Sequence, residues 1–396
     1  MAFQVSPGVN TSEIDLTNVV VGAGTSTGGF AGRFRWGPIE EVTLITDEDN
    51  LVEQFQKPDD NNFEHFFTAA NFLSYSNALN VVRAANTTVA NAAAPKNATA
   101  NTGTYVNVQI TTSENYYTTY DDEQGGTAYS TAANGPWVAK WAGDLGNTFK
   151  VSICPADRPS KTLTGTVAWA VSTGVLTGTA TLFGTELRVG DAISIAGETG
   201  LHIVSAVTSN VAVTCFSTSS SDDANVSAGA AVTRQKRSAF HTIASNLKGT
   251  VAVTADSTTV TGTGTLFDSQ FIVGDKITIN GETKKVKTIT SATVIVTDTK
   301  FLNAASAQTY TRDWEYASAF PEGPPTTSTH AVDKNMALDE IHIAVVDEDG
   351  EWTGTVDEVV EAHANLSVAK GARDNQGEDI YYKNWINAKS KFMWWL

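Results

Sequence analysis

Thr177-Gly-Thr-Ala-Thr-Leu-Phe-Gly-Thr-Glu-Leu-Arg-Val-Gly-Asp-Ala-Ile-Ser-Ile-Ala-Gly-Glu-Thr199 recurs 84 residues later. The second copy is Thr261-Gly-Thr-Gly-Thr-Leu-Phe-Asp-Ser-Gln-Phe-Ile-Val-Gly-Asp-Lys-Ile-Thr-Ile-Asn-Gly-Glu-Thr283, and 14 of the 23 aligned positions are identical. Gly165-Thr-Val-Ala168 and Gly249-Thr-Val-Ala252 extend the match at the same offset. Each copy alternates apolar and polar residues over short runs: Ala192–Ile195 then Ile203–Val207, against Lys276–Ile279 then Val286–Ile289. Alternation at period two marks a half-buried strand. Gly197-Glu198 and Gly281-Glu282 fall where a hairpin must turn. The spacing predicts two small all-β modules of barrel or sandwich type, over about 160–236 and 245–312. With two copies the array is a duplication, and its period is far too long for a β-helix.

Outward from the repeats the pattern changes. Val42–Ile45 reads as a compact strand. Thr46, with Asp49 three residues on, predicts a helix start, and Asp47, Glu48 and Asp49 suit the positive end of a helix dipole. Phe63, Phe66, Phe67, Ala70 and Leu73 form one apolar stripe at helical period, expected to be core. Val81-Val82 resumes a strand. Residues 86–136 are polar, small and variable in character, with Tyr105, Val106, Val108 and Ile110 suggesting one strand. Phe149, Val151 and Ile153 alternate. Beyond Thr311, Ile341–Val346 reads as a buried strand closed by a turn at Asp349-Gly350, a favoured hairpin pair. Val356, Val359, Val360 and His363 predict a helical face running to about Lys370.

The fold class expected is therefore mixed (α+β or α/β) and multidomain, with a discontinuous α/β core. An extended arm covers 1–20, the first core part 21–155, the two β modules 160–236 and 245–312, and the second core part 313–396. The β modules read as an insertion into the core.

Of 396 residues, 26 are Lys or Arg and 43 Asp or Glu, giving a net charge of −17. That excludes a nucleic-acid binder working through a basic face, because neutralising phosphates needs positive charge. The 17 Phe, 10 Tyr and 9 Trp supply ample core material, which argues against simple disorder. The two cysteines, Cys154 and Cys215, make no disulfide framework and no CxxC pair, and read as buried thiols. The start, Met1 to Gly8, has no basic and apolar leader pattern, and no run approaches the ~18 apolar residues of a membrane span. A soluble protein made in a cytoplasm is expected.

Candidate chemistry is sparse. Gly22, Gly24 and Gly28 have the wrong spacing for a dinucleotide loop. Six histidines lack HxH or HExxH spacing, although His342 and His363 are placed where they could be neighbours in space. Asp347, Asp349 and Glu351 resemble half a calcium loop, but Val356 stands where the closing Glu belongs, so a solvated turn is preferred. No GxSxG, phosphate-loop Lys or cysteine in a catalytic setting is present. No enzymatic activity, catalytic residue, metal or cofactor is expected.

Several stretches, in order, resemble the contractile tail sheath proteins of tailed bacteriophages of the myovirus type. They are Ser6–Glu13, Phe30–Pro38, Val42–Pro58, Phe72–Ala84, Gly146–Ile153, Val345–Gly350, Tyr381–Asn387 and the final run Phe392–Leu396. The resemblance covers roughly 1–85, 137–155 and 335–396, leaving the β modules outside the shared core as peripheral decoration. It implies a further C-terminal segment past the Trp394-Trp395 region, which this chain is expected to lack.

The function it implies is mechanical. Subunits form six-fold rings stacked helically around a tail tube and contract to drive the tube through the host envelope for genome delivery. The implied partners are further copies of the chain, the tube protein, and baseplate and tail terminator proteins, with no nucleic acid and no membrane insertion. The implied location is the virion tail, after assembly in the host cytoplasm. The resemblance also implies an intersubunit arm, with Pro7, Gly8, Val9, Thr11, Glu13, Ile14 and Leu16 joining a neighbour's sheet. Alternatives are the sheath of a related contractile machine (a tailocin or secretion system) and, further off, a β-repeat adhesin.

Overall fold

The computed structural model describes residues 27–95, 108–121, 134–198, 201–217, 224–235, 240–242, 244 and 247–396. Its first layer is a three-stranded sheet in the order β1 (Gly28–Gly32), β3 (Leu79–Arg83), β2 (Val42–Ile45), with β1 parallel and β2 antiparallel to β3. Two helices, α1 (Glu48–Phe55) and α2 (Phe63–Leu73), connect β2 to β3. The α1 cap is Asp47, one residue later than expected: its carboxylate accepts from the Asn50 amide at 2.8 Å while the Thr46 hydroxyl donates to it. Ile45, Leu51, Phe55, Phe66, Ala69, Leu79 and Val81 form the core of this layer. The aromatic stripe of α2 is only partly core, since Phe63 and Phe67 stay about half exposed at 49% and 51%. Three strands are too narrow to cover so wide an arc.

Strands β4 (Ala93–Pro95), β5 (Asn134–Ala139) and β6 (Phe149–Pro155) follow. Val108 and Ile110 are buried beside Tyr116 without forming a strand, and Tyr105 and Val106 lie outside the described residues.

The repeats come next. The first supplies β7 (Lys161–Thr162), β8 (Thr166–Ala170), β9 (Val175–Thr179), β10 (Ala192–Ile195), β11 (His202–Ser209), β12 (Ala212–Ser217), β13 (Val226–Ala230) and β14 (Val232–Arg234). The second supplies β15 (His241–Thr242), β16 (Thr250–Val253), β17 (Ser257–Thr263), β18 (Lys276–Ile279), β19 (Glu282–Ser291), β20 (Val294–Phe301), β21 (Ala305–Gln308) and β22 (Tyr310–Asp313). Their sheet orders, β13-β8-β9-β12-β11-β10-β14-β7 and β21-β16-β17-β20-β19-β18-β22-β15, are the same topology. Each sheet closes on its own apolar cluster, around Phe183 and Ile193 in one and Phe267 and Ile277 in the other. The β18–β19 hairpin turns through Asn280 and Gly281, both at positive φ, with Ile279 facing Glu282.

Matching detail runs below the topology. Asp191 and Asp275 each accept from the amide three residues back, at 2.8 Å. Arg234 and Arg312 each donate to a carbonyl at the same place in the repeat, Glu186 O and Gln270 O, at 2.6 Å.

The chain then returns to β6. β23 (Glu340–Asp347) pairs antiparallel with it from Ile341 opposite Pro155 to Asp347 opposite Phe149, and β24 (Glu358–Ser367) covers the other side of β23. Both repeat sheets therefore lie in the chain between two strands that are hydrogen-bonded to each other. The helical face expected over Val356–Lys370 is instead β24. Val359 packs into the cluster of Trp314 and Val346, whereas Val360 packs into that of Ile343 and Val345. A strand covered on both faces loses its alternation, and the run imitates a helix. The β23–β24 connection spans 348–357 rather than a tight pair at Asp349-Gly350. The buried Asp347 carboxylate organises it by accepting from the Trp352 and Thr353 amides.

Last come α3 (Tyr382–Lys389) and β25 (Met393–Trp395), which joins β5 at one edge of the sheet β25-β5-β4. The apolar run Phe392–Leu396 is thus buried, which accounts for its composition.

Candidate assembly surfaces

The arm residues Pro7, Gly8, Val9, Thr11, Glu13, Ile14 and Leu16 all lie outside the described residues. The chain enters the described structure at Thr27 and runs at once into β1. The surfaces around that entry can be built from their residues. β2 is an edge strand, and its inward residue Ile45 is fully buried. Period two turns Val42 and Leu44 to the opposite face, where they are 63% and 57% exposed. On the helical side Phe63 and Phe67, one turn apart, stand half out of the surface. Apolar groups left on both faces of one thin layer suit burial by other protein. What these faces offer is dry contact rather than chemistry.

A second part of the core is built around β25. Trp394 stacks on Tyr116 with ring centroids 4.0 Å apart and planes at 4°. The Tyr116 hydroxyl donates to Trp395 O at 2.8 Å, tying the segment before β5 to the last strand. Lys140 is buried here: its Nζ donates to Ser390 O at 2.8 Å and sits 3.6 Å from the centre of the Trp394 ring. The lone cation in the apolar run Trp137–Trp141 was the sequence signal for it.

Burial lowers the Lys140 pKa to about 8, with Glu361 opposing the shift. An unfolded lysine titrates near ~10.4. Between those values the unfolded chain holds more protons, so stability gains as pH rises from about 8 toward 10. Thermal melts should show that gain in the wild type relative to Lys140→Met, and parallel melting curves would discount the buried ammonium.

The polar clusters are structural. Ser390 Oγ and His363 Nε2 both contact Glu361 Oε2, at 2.6 and 3.0 Å. The carboxylate stands between hydroxyl and imidazole, whereas nucleophile activation needs the imidazole on the hydroxyl. His342 stacks on Phe320 and contacts Gly323 O, while His363 meets Trp385, so the two histidines face opposite sides of β23 and β24. They form no metal pair. Asp347 and Asp349 share the Thr148 hydroxyl, and Glu351 pairs with Arg35 at 2.7 Å, so the half calcium loop is a braced turn. Among the described residues no cluster of three metal-ligating side chains occurs. Cys154 and Cys215 are buried, and burial pushes the Cys215 thiol well up. No described helix is long and apolar enough to cross a membrane.

No protein-family model matches the chain. Over 91 residues it is 40% identical to the tail sheath protein of Vibrio phage KVP40, covering 23% of this chain and 14% of that protein. The chain is similar to phage tail sheath proteins. It is 37% identical over 91 residues to the tail sheath protein of Enterobacteria phage T4, again 14% of that protein's length. With the tail sheath protein of Salmonella phage ViI it shares 29% identity over 154 residues, 39% of this chain and 22% of the relative. The matched stretches thus span less than a quarter of any of these sheath proteins.

Among the described residues, two pairs of the segments that carry the tail sheath resemblance are in direct contact. Arg83, at the end of one, donates to the carbonyls of Phe34 and Gly37 in another, at 2.9 and 2.8 Å. β6 and β23 pair two more.

Proposed function

We propose that this chain is a structural subunit of a contractile phage tail sheath, acting by assembly and rearrangement and not by catalysis. The observation that carries the reading is the similarity to three tail sheath proteins. Copies would stack in six-fold rings around a tail tube in the virion tail, after assembly in the host cytoplasm. They would engage baseplate and terminator proteins at the two ends and shorten to drive the tube through the host envelope. The energy would come from interface free energy summed over many subunits, as rigid bodies move between two packings. In this reading the core runs over 21–155 and 313–396, the repeats over 160–236 and 245–312 are an insertion on it, and the arm of 1–20 reaches a neighbouring subunit.

The apolar faces at Val42, Leu44, Phe63 and Phe67 suit such contacts. Electron microscopy of the protein purified with any native C-terminal extension tests the proposal. Tubes or polysheath of regular helical order are expected, and persistently monomeric protein at high concentration would contradict it.

A further inference from the structure

The two repeat sheets meet the core through equivalent turns, Arg188-Val-Gly-Asp191 and Ile272-Val-Gly-Asp275, but by different physics. In the first repeat Val189 is 5% exposed and joins the core cluster of Trp36, Ile341 and Tyr381. Gly190, at φ +87°, comes so close that a Cβ would lie 3.0 Å from the Ile153 methyl. Arg188 adds hydrogen bonds to the carbonyls of Ala337 and Leu338. In the second repeat the matching Val273 is 47% exposed, and a Cβ on Gly274 would strike the Glu315 carboxylate instead.

Charge replaces the apolar contact there. Lys285 of β19 reaches Glu315 at 2.5 Å and Asp357, in the β23–β24 connection, at 2.6 Å. Lys150 of β6 lies 3.6, 3.7 and 3.8 Å from Glu315, Asp357 and Glu348. Tyr316 lies beneath, buried against Trp314 and Val346, with Lys150 over its ring at 5.3 Å.

We propose that Lys285, Lys150, Glu315, Glu348 and Asp357 form a releasable charge latch between the second repeat sheet and the core, while the first repeat is docked permanently. Trp314, buried and donating through Nε1 to Ser152 Oγ at 3.0 Å, fixes the chain just past β22 and serves as the pivot. Both lysines are 30% exposed on their side chains, so salt reaches the network, whereas at the first turn Val189 is apolar and the Arg158–Asp191 pair, only 11% and 4% exposed, is shielded from it. Acid acts in the same direction. Burial opposes ionisation of Asp357, but Lys285 and Lys150 outweigh it and hold the carboxyl below its ordinary value. The stabilisation is present above the unfolded value near ~3.9 and is lost as pH falls through the lower folded value.

Hydrogen exchange on the full chain tests the latch, at ~0.05 M and ~1 M NaCl, where screening lengths differ several-fold. High salt should raise exchange roughly three- to tenfold in 272–276, 314–317 and 348–357, leaving 187–191 unchanged. Lys285→Met should produce the same pattern at low salt. Exchange in those segments that ignores salt in the wild type, or rises equally at both turns, would overturn the proposal. The wild-type measurement stands even if the variant folds poorly.

Discussion

Arg83→Met should cost about 4 kcal/mol or more of folding stability, read as a fall in the urea midpoint at unchanged slope. The guanidinium is buried, and among the described residues no carboxylate pairs with it. It donates instead to four main-chain carbonyls: Phe34, Gly37, Ala142 and, at 3.3 Å, Arg35. Burial lowers its pKa to about 10, so it stays charged at neutral pH. Methionine fills the stem but leaves those oxygens buried and unpaired, at ~1–3 kcal/mol for each that finds no water.

The loss also propagates through the fold. The segment held by Arg83 carries Trp36, which packs edge-on against Phe149 and Trp352 at 5.5 and 5.4 Å. Releasing it loosens the seam between the thin N-terminal layer and the β6–β23–β24 core. Arg83→Lys should recover only part of the stability, because an ammonium cannot span a forked set of acceptors. A variant as stable as wild type would show that water replaces the guanidinium at no cost.

The repeats were legible because identity is visible wherever the chain keeps one offset. Leu176 and Val260 correspond at 84 residues, but their strand partners Val213 and Ile295 correspond at 82. Val232 and Tyr310, facing Ile195 and Ile279, correspond at 78. The drift through the last strands hid the Arg234 and Arg312 pair, although each guanidinium does the same work. Local periodicity failed where burial was not one-sided. The adjacent Val359 and Val360 read as a helix because each faces a different core. Phe63 and Phe67 read as core because the pattern of α2 does not reveal how narrow its sheet is.

Long-range electrostatics were out of reach altogether. Lys285 and Asp357 stand 72 residues apart, and no composition or motif joins them. The apolar run Phe392–Leu396 owes its composition to β25, which pairs with β5 and stacks Trp394 on Tyr116, contacts that no local pattern announces. The family resemblance located the order of segments, not the contacts that bind them.

Removing residues 1–17 from the protein with any native C-terminal extension should leave folded monomers and abolish tube formation. The apolar clusters of the described residues draw on Phe30 and later positions, so cooperative unfolding should survive the truncation. The arm itself has too few apolar residues for a packed unit, yet Val5, Val9, Ile14 and Leu16 suit an extended strand that anchors on another surface. Pro7 has no amide to donate, so pairing should be strongest from Val9 to Leu16. Under the proposed arm exchange, strand addition would supply a row of main-chain hydrogen bonds at each junction and tie ordering of the arm to assembly. Losing it leaves only side-by-side burial at faces such as Val42 with Leu44, and Phe63 with Phe67. Those small patches sit on a chain of net charge −17, whose copies repel one another. Negative-stain microscopy and sedimentation should therefore find monomers. Tubes of normal length would mean that the lateral faces suffice, and the arm would then have no part in holding subunits together.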